Sequence, residues 1–300
     1  MIFESGQFLD IVFNGLFESY QKNVPDVQKI TNAMVTRGII NSQRDIVNDH
    51  VAFRTLGVPN LGIQSLEKIF LQHGYEKRDY YYFQQKKVAA YWYSPPHHKY
   101  PRVFLSELCV EELSPKVVEI IRKYTKPIEE DPLLKIDLND PHQVTDFLHA
   151  SLWQLPSLKD YMDLQAESEY AAWVIYNRYY LNHYTISVHT LKGEFSALKV
   201  FNDFLIDIGI KLNDSGGVIK KSQDNLLHQS STIAHKIMAR FSDGQEMMIP
   251  TSYVEFAERR ALPAFKHLAN ILRKHRRDGF EVGNADKIFE STYQSQVQRS

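Results

Sequence analysis

The sequence predicts an α+β fold: paired βαβββ modules forming a curved mixed sheet around a metal cleft, with additional N-terminal, central and C-terminal helices. Two observations carry this expectation. The order strand, helix, strand, strand, strand occurs twice, at about 49–108 and 182–256. A histidine stands at the start of the first strand of each copy, His50 and His183, and Glu255 closes the last strand of the second. The 300 residues are enough to bury a core without staples, and are read as one domain over 1–300. A helical insertion over about 111–180 separates the modules, and a helical segment over about 257–300 follows them.

The elements follow in order. Phe8, Ile11, Val12, Leu16 and Phe17 recur at helical spacing, which makes one apolar face. A second helix over 25–35 opens with Pro25 in its first turn. HVAFRT (50–55) reads as a strand, and 61–73 as a helix capped by Gly74. Strands at 80–84 and 88–93 form a hairpin around QKK, and RVFLSEL (102–108) is the fourth strand. Helical patterns cover 115–124, 140–153 and 167–179. In the second module, NHYTISVH (182–189) is a strand and 194–208 an amphipathic helix followed by Gly209. Strands are expected at 218–220, 230–241 and 245–255, the last two joined by the turn Ser242-Asp243-Gly244. The basic run RKHRR (273–277) reads as a solvated helix face, and 281–292 as a loop.

Composition narrows the class. Lys plus Arg is 35 against 36 Asp plus Glu, a net charge of −1, which argues against a nucleic-acid binder. No stretch approaches a membrane span, and the start lacks the basic and apolar regions of a signal peptide. Cys109 is the one cysteine, so no internal disulfide or Cys-rich zinc site forms, and a reducing, cytoplasmic setting is expected. Cys109 itself reads as structural. The sequence does not give an oligomeric state.

Paired modules would bring their first and last strands into one cleft, where His50, His183 and Glu255 point inward together. Two imidazoles and a carboxylate match the facial triad of non-haem Fe(II) oxygenases, with three open positions. The same donors also suit Zn(II), Mn(II) or Ni(II). A lone strand-start His is more often structural; two at matching places of a repeat argue for a metal. Arg54 shares a strand face with His50, about 13 Å along it, where its planar fork could grip a remote carboxylate; the plain alternative is an ion pair. Glu107 holds the corresponding last-strand place of module one and is expected beside the ligands, hydrogen-bonded to one of the histidines. Gln229, Ser230 and Ser231 begin a strand and could reach a substrate.

The segments DHVAFRT (49–55), PRVFLSEL (101–108), NHYTISVH (182–189), QSSTIA (229–234), IPTSYVEFAER (249–259) and NADKIFEST (284–292) together resemble the 2-oxoadipate dioxygenase/decarboxylase family of the vicinal oxygen chelate superfamily. The resemblance spans about 49–292, in a form more compact than the best-known members. It implies Fe(II) as cofactor, held by His50, His183 and Glu255. It implies Arg54 as the catalytic contact to the substrate, which would also touch His50 and a late loop at Gly283 and Asn284. It implies a 2-oxo acid and O2 as the small-molecule partners, with 2-oxoadipate converted to D-2-hydroxyglutarate and CO2 in lysine breakdown. Two other readings stand beside it: a glyoxalase-like metal lyase or metal-dependent hydrolase with Glu107 as fourth ligand, and a metal-binding carrier without turnover.

Overall fold

The computed structural model describes residues 2–4 and 6–298. Two helices lead, α1 (Phe8–Asn23) and α2 (Pro25–Thr36). The first module holds β1 (Asn48–Leu56), α3 (Ile63–Gln72), β2 (Glu76–Phe83), β3 (Val88–Ser94) and β4 (Arg102–Leu108). Four helices intervene: α4 (Pro115–Thr125), α5 (Pro141–Leu148), α6 (Leu158–Glu167) and α7 (Glu169–Asn177). The second module holds β5 (His183–Ser187), α8 (Leu198–Asp207), β6 (Lys220–Lys221), β7 (Leu227–Ser231), the ribbon β8 (Lys236–Arg240) and β9 (Glu246–Pro250), and β10 (Tyr253–Arg259). The described chain closes with α9 (Val282–Phe289) and α10 (Gln294–Val297).

Eight strands make one mixed sheet in the order β2-β3-β4-β1-β5-β10-β7-β6. Within each module the first and last strands run parallel, β1 with β4 and β5 with β10. The modules meet where β1 and β5 pair antiparallel, Val51 opposite Tyr184. That order reads the same from either edge, so the modules are related by a local twofold through the Val51–Tyr184 pair. Helices cover the outer face. Phe53 on β1 meets Phe70 of α3, and Phe256 on β10 meets Phe201 of α8. The N-terminal helix flanks the sheet from that side, with Phe17 and Tyr20 edge-on to Tyr184. The inner face is a trough. α7, with Tyr170 to Ile175 all buried, and α9 lie across it.

Several elements differ from the expected ones, each for a local reason. The strands expected at 230–241 and 245–255 each break in two. β7 and β10 stay in the sheet, while β8 and β9 peel away as a separate ribbon that the Ser242-Asp243-Gly244 turn joins. The chains cross between them through Thr251 N–H to His235 O and His235 N–H to Ser252 O, beside Pro250, which has no N–H for a ladder. The helix expected at 167–179 starts at Glu169, because Ser168 ends α6 and its hydroxyl caps α7 at Ala171 N–H; α6 itself was not anticipated. The helix expected at 140–153 stops at Leu148, and the one at 194–208 is a 3-10 turn (Gly193–Ser196) followed by α8. The C-terminal pattern inverts. RKHRR is irregular apart from a 3-10 turn at Arg273–His275, and its guanidiniums turn back to main-chain carbonyls: Arg273 to His98 and Tyr100, Arg276 to Arg259. The stretch expected as a loop is α9, whose Ile288 and Phe289 are buried.

Candidate metal centre

The site begins with an irregularity in β1. The register against β5 shifts between Asn48 and Val51. Such a bulge lets two successive residues turn to one side: Asp49 meets Arg102 and Arg259, while His50 faces Glu255. Across the twofold, His183 precedes Tyr184 as His50 precedes Val51. Glu255 stands opposite Thr185 on β10, and the equivalent place on β4, opposite Ala52, is Phe104.

His50, His183 and Glu255 converge in the trough, all buried, and are the three residues whose donor atoms group as a metal would need. His183 Nε2 is 3.0 Å from Glu255 Oε2, His50 Nε2 is 3.4 Å from the same oxygen, and the two Nε2 atoms are 3.4 Å apart. Ligands at about 2.1 Å on one octahedral face stand about 3 Å from each other, so the donor set and spacing fit a single ion. His183 and Glu255 are each aimed by a neighbour. Asn182 Oδ1 accepts from His183 Nδ1 at 2.9 Å, which leaves Nε2 to face the centre. Gln229 Nε2 donates to Glu255 Oε1 at 2.7 Å and its own Oε1 accepts from Asn284 at 2.9 Å. Around His50 the neighbours are looser: Thr185 Oγ1 lies 3.0 Å from Nε2 itself, and Asp49 Oδ2 faces Nδ1 at 3.7 Å, beyond hydrogen-bond reach.

The electrostatics are those of a ligand cluster. Burial pushes Glu255 up, but the charge of His50 and the close contacts with both imidazoles outweigh it and hold the carboxyl at about 2. Burial drives His183 down to about 4, so its imidazole is neutral. Burial also opposes charge on His50, but Glu255 and Asp49 outweigh it and raise its pKa.

The free space here is narrow. About 20 Å³ admits a water-sized sphere, room for a water molecule or two. Apolar side chains close it: Phe104 from β4, Phe280, and Ala285, Ile288 and Phe289 of α9. Arg54 lies beyond Phe289, on the inner face with His50. It is 1 % exposed and has no carboxylate partner among the described residues. Its guanidinium donates to Thr292 Oγ1 at 2.9 Å and Phe289 O at 3.1 Å. It sits over the rings of Tyr170, Trp173 and Phe289 at 5.2, 5.2 and 5.3 Å, while its Nε is buried without a partner. Asn284 reaches the site through Gln229, whereas Gly283 faces open space and its neighbours Ala285 and Ile288 line the cavity.

Two expectations change. Glu107 touches neither histidine: its Oε2 accepts from the Ile63 N–H that opens α3, at 2.8 Å. The twofold relates it to Glu258, whose Oε2 accepts from the Leu198 N–H that opens α8, at 2.9 Å. It is a duplicated helix cap rather than a ligand neighbour. Tyr253 was not singled out in the sequence. It lies two residues before Glu255 on the same strand face, its ring stacks on His183 at 4.7 Å, and its buried hydroxyl has no partner.

Comparison with known proteins gives the family. A family model for 2-oxoadipate dioxygenase/decarboxylase matches residues 12–268. The chloroplastic 2-oxoadipate dioxygenase/decarboxylase of Arabidopsis thaliana is 46% identical over 264 residues, 84% of this chain and 69% of the relative. A crystal structure of hydroxyglutarate synthase from Oryza sativa, in complex with 2-oxoadipate, superposes with a TM-score of 0.88 at 40% identity, covering 99% of this chain and 96% of that one. A putative hydrolase from Shewanella frigidimarina follows at 0.73 and 33%, covering 92% and 100%. The cytoplasmic placement expected from composition is overturned, because the Arabidopsis relative is chloroplastic; a single cysteine reports reducing chemistry, not an address. A match running through every strand of both modules makes the chain a member of the 2-oxoadipate dioxygenase/decarboxylase family.

Proposed function

We propose that the trough is an Fe(II)-dependent dioxygenase and decarboxylase site for a 2-oxo dicarboxylic acid, taking 2-oxoadipate and O2 to D-2-hydroxyglutarate and CO2, in lysine breakdown. One observation carries this reading: three buried donors on one coordination face share a trough with a buried arginine that lacks a carboxylate. The family membership and the bound 2-oxoadipate of the rice neighbour point the same way. His50, His183 and Glu255 would hold Fe(II). An ion bound there would supply a Lewis-acid centre for the 2-oxo acid and for O2 activation.

The remaining roles belong to the chain. Arg54 takes a substrate carboxylate in a bidentate grip, which replaces the donors' present partners, Phe289 O and Thr292 Oγ1. The unpartnered Tyr253 hydroxyl offers a further donor. Gln229 and Asn284 keep Glu255 on its coordination face, and Asn182 does so for His183. Phe104, Phe280 and Phe289 exclude water, which strengthens each charge interaction inside. A six-carbon diacid exceeds the present free volume, so α9 gives way as it enters. The lyase or hydrolase reading required Glu107 as a fourth ligand, and that carboxylate is committed to α3.

The test mixes anaerobic protein, Fe(II) and 2-oxoadipate, then admits O2 while oxygen and CO2 are followed. One O2 consumed per CO2 released is expected. Glu255→Ala should abolish both, and Arg54→Met should lower kcat/KM about 30-fold or more, the worth of a buried charge-assisted hydrogen bond. Absence of O2 uptake with 2-oxoadipate and with shorter and longer 2-oxo acids would overturn the assignment.

A further inference from the structure

A second cavity, of about 290 Å³, opens at the far end of the same trough, where β1 and β4 begin and β5 and β10 end. Its walls carry four arginines, Arg102, Arg259, Arg273 and Arg276, beside His98 and His189; burial drives His189 down to about 4, so its ring is neutral and the cationic character is that of the arginines. Phe280 separates it from the metal centre, with the His50 ring edge-on at 4.8 Å and the Arg259 guanidinium over its ring at 5.4 Å.

The carboxylates nearby do not neutralise these groups. Asp49 serves two arginines, Arg259 Nε at 2.6 Å and Arg102 Nη1 at 3.1 Å. Asp278 bonds Arg102 from an exposed position. Arg273 and Arg276 donate only to main-chain carbonyls and pair with no carboxylate among the described residues. Arg259 is 1 % exposed, and its Nη2 has no hydrogen-bond partner. A buried, charged donor without an acceptor is costly, and an anion is what relieves it. Burial and the repulsion of Arg259 and Arg273 push Arg102 down to about 10 against the pull of Asp49, whereas at Arg259 burial is outweighed by Asp49, which holds it charged and raises its pKa.

We propose that this cavity is a second site, separate from the metal centre, that binds a small oxyanion, a phosphate or a dicarboxylate. The forked guanidiniums of the half-buried Arg273 and Arg276 provide the outer grip and the buried Arg259 the inner charge. The volume accommodates either anion. The site communicates with the metal centre by two contacts: Asp49, which is bonded to Arg259 and adjoins His50 in sequence, and Phe280.

Isothermal titration of the full chain with sodium phosphate, and separately with sodium glutarate, in a low-salt zwitterionic buffer tests this. The expected result is one-to-one binding by at least one anion. Arg276→Gln and Arg273→Gln should each weaken it about tenfold or more, and Glu255→Gln should leave it within about twofold. The tighter of the two anions identifies the ligand class. Arg273 also ties down the His98–Tyr100 turn, so Arg276→Gln, which loses one bond from a partly exposed side chain, is the cleaner variant. Absence of binding by either anion at about 10 mM in the wild-type chain overturns the proposal. So does binding that Glu255→Gln abolishes and Arg276→Gln spares, which would move the anion to the metal centre.

Discussion

At the scale of single residues, the convergence of side chains was readable where it followed strand period and repeat. His50 and His183 sit at equivalent places, and Glu255 lies on the strand paired with His183. Glu107 was misplaced because a sequence shows that a strand ends in a carboxylate but not its register. Register relates Glu107 to Glu258 and puts Phe104 where a fourth ligand would stand. Cys109 gives a test at this scale. Burial, then Glu112 and Glu107, push its thiol up to about 11. The thiolate is the reacting form, so at pH 8 alkylation should run about a hundredfold slower than for an exposed thiol and accelerate as pH rises toward that value. Rapid labelling by iodoacetamide at pH 8, read by intact mass, would contradict this environment.

Among the elements, those with a strong internal pattern were legible: α2, β1, β3 and β4 fall within a residue or two of their expected places, and the apolar stripe expected from Phe8 to Phe17 lies on α1. Elements set by tertiary context were not. The 230–255 region reads as two long strands, yet each must leave the sheet after it has paired. α9 looks like a loop because it is short and carries Gly283, but its apolar face is what closes the trough. The duplicated caps of α3 and α8 belong to this scale. Glu107→Gln should lower unfolding stability by about 1 kcal/mol and leave metal affinity unchanged. A tenfold loss of metal affinity in that variant, measured by chelator competition, would return Glu107 to the ligand set.

Over the whole molecule, among the described residues the two modules pair strand to strand along β1 and β5, at Asn48, Val51 and Ala52, with Ser187 N–H reaching Val47 O just beyond. The donors straddle that seam, with His50 on one side and His183 and Glu255 on the other. An ion held there stabilises the folded chain alone. At a hundredfold excess over Kd the gain is about 2.7 kcal/mol, or roughly 5–10 °C in Tm for a chain of this size. Melting scans with Fe(II) under anaerobic conditions and with EDTA should differ by that amount in the wild-type chain and coincide in His50→Ala. Equal melting points with and without the ion in the wild type would show that the cluster does not retain metal.

The straddling arrangement also makes the ion a reporter of assembly. Neither half of the chain owns three donors, so a chain with only its second half folded offers His183 and Glu255, and one with only its first half folded offers His50 alone. Affinity falls steeply with each missing donor. During synthesis the chain therefore stays metal-poor until β10 has docked beside β5 and the seam to β1 has closed. Under the proposed function, this would keep reactive metal away from half-made protein and switch oxygen chemistry on last.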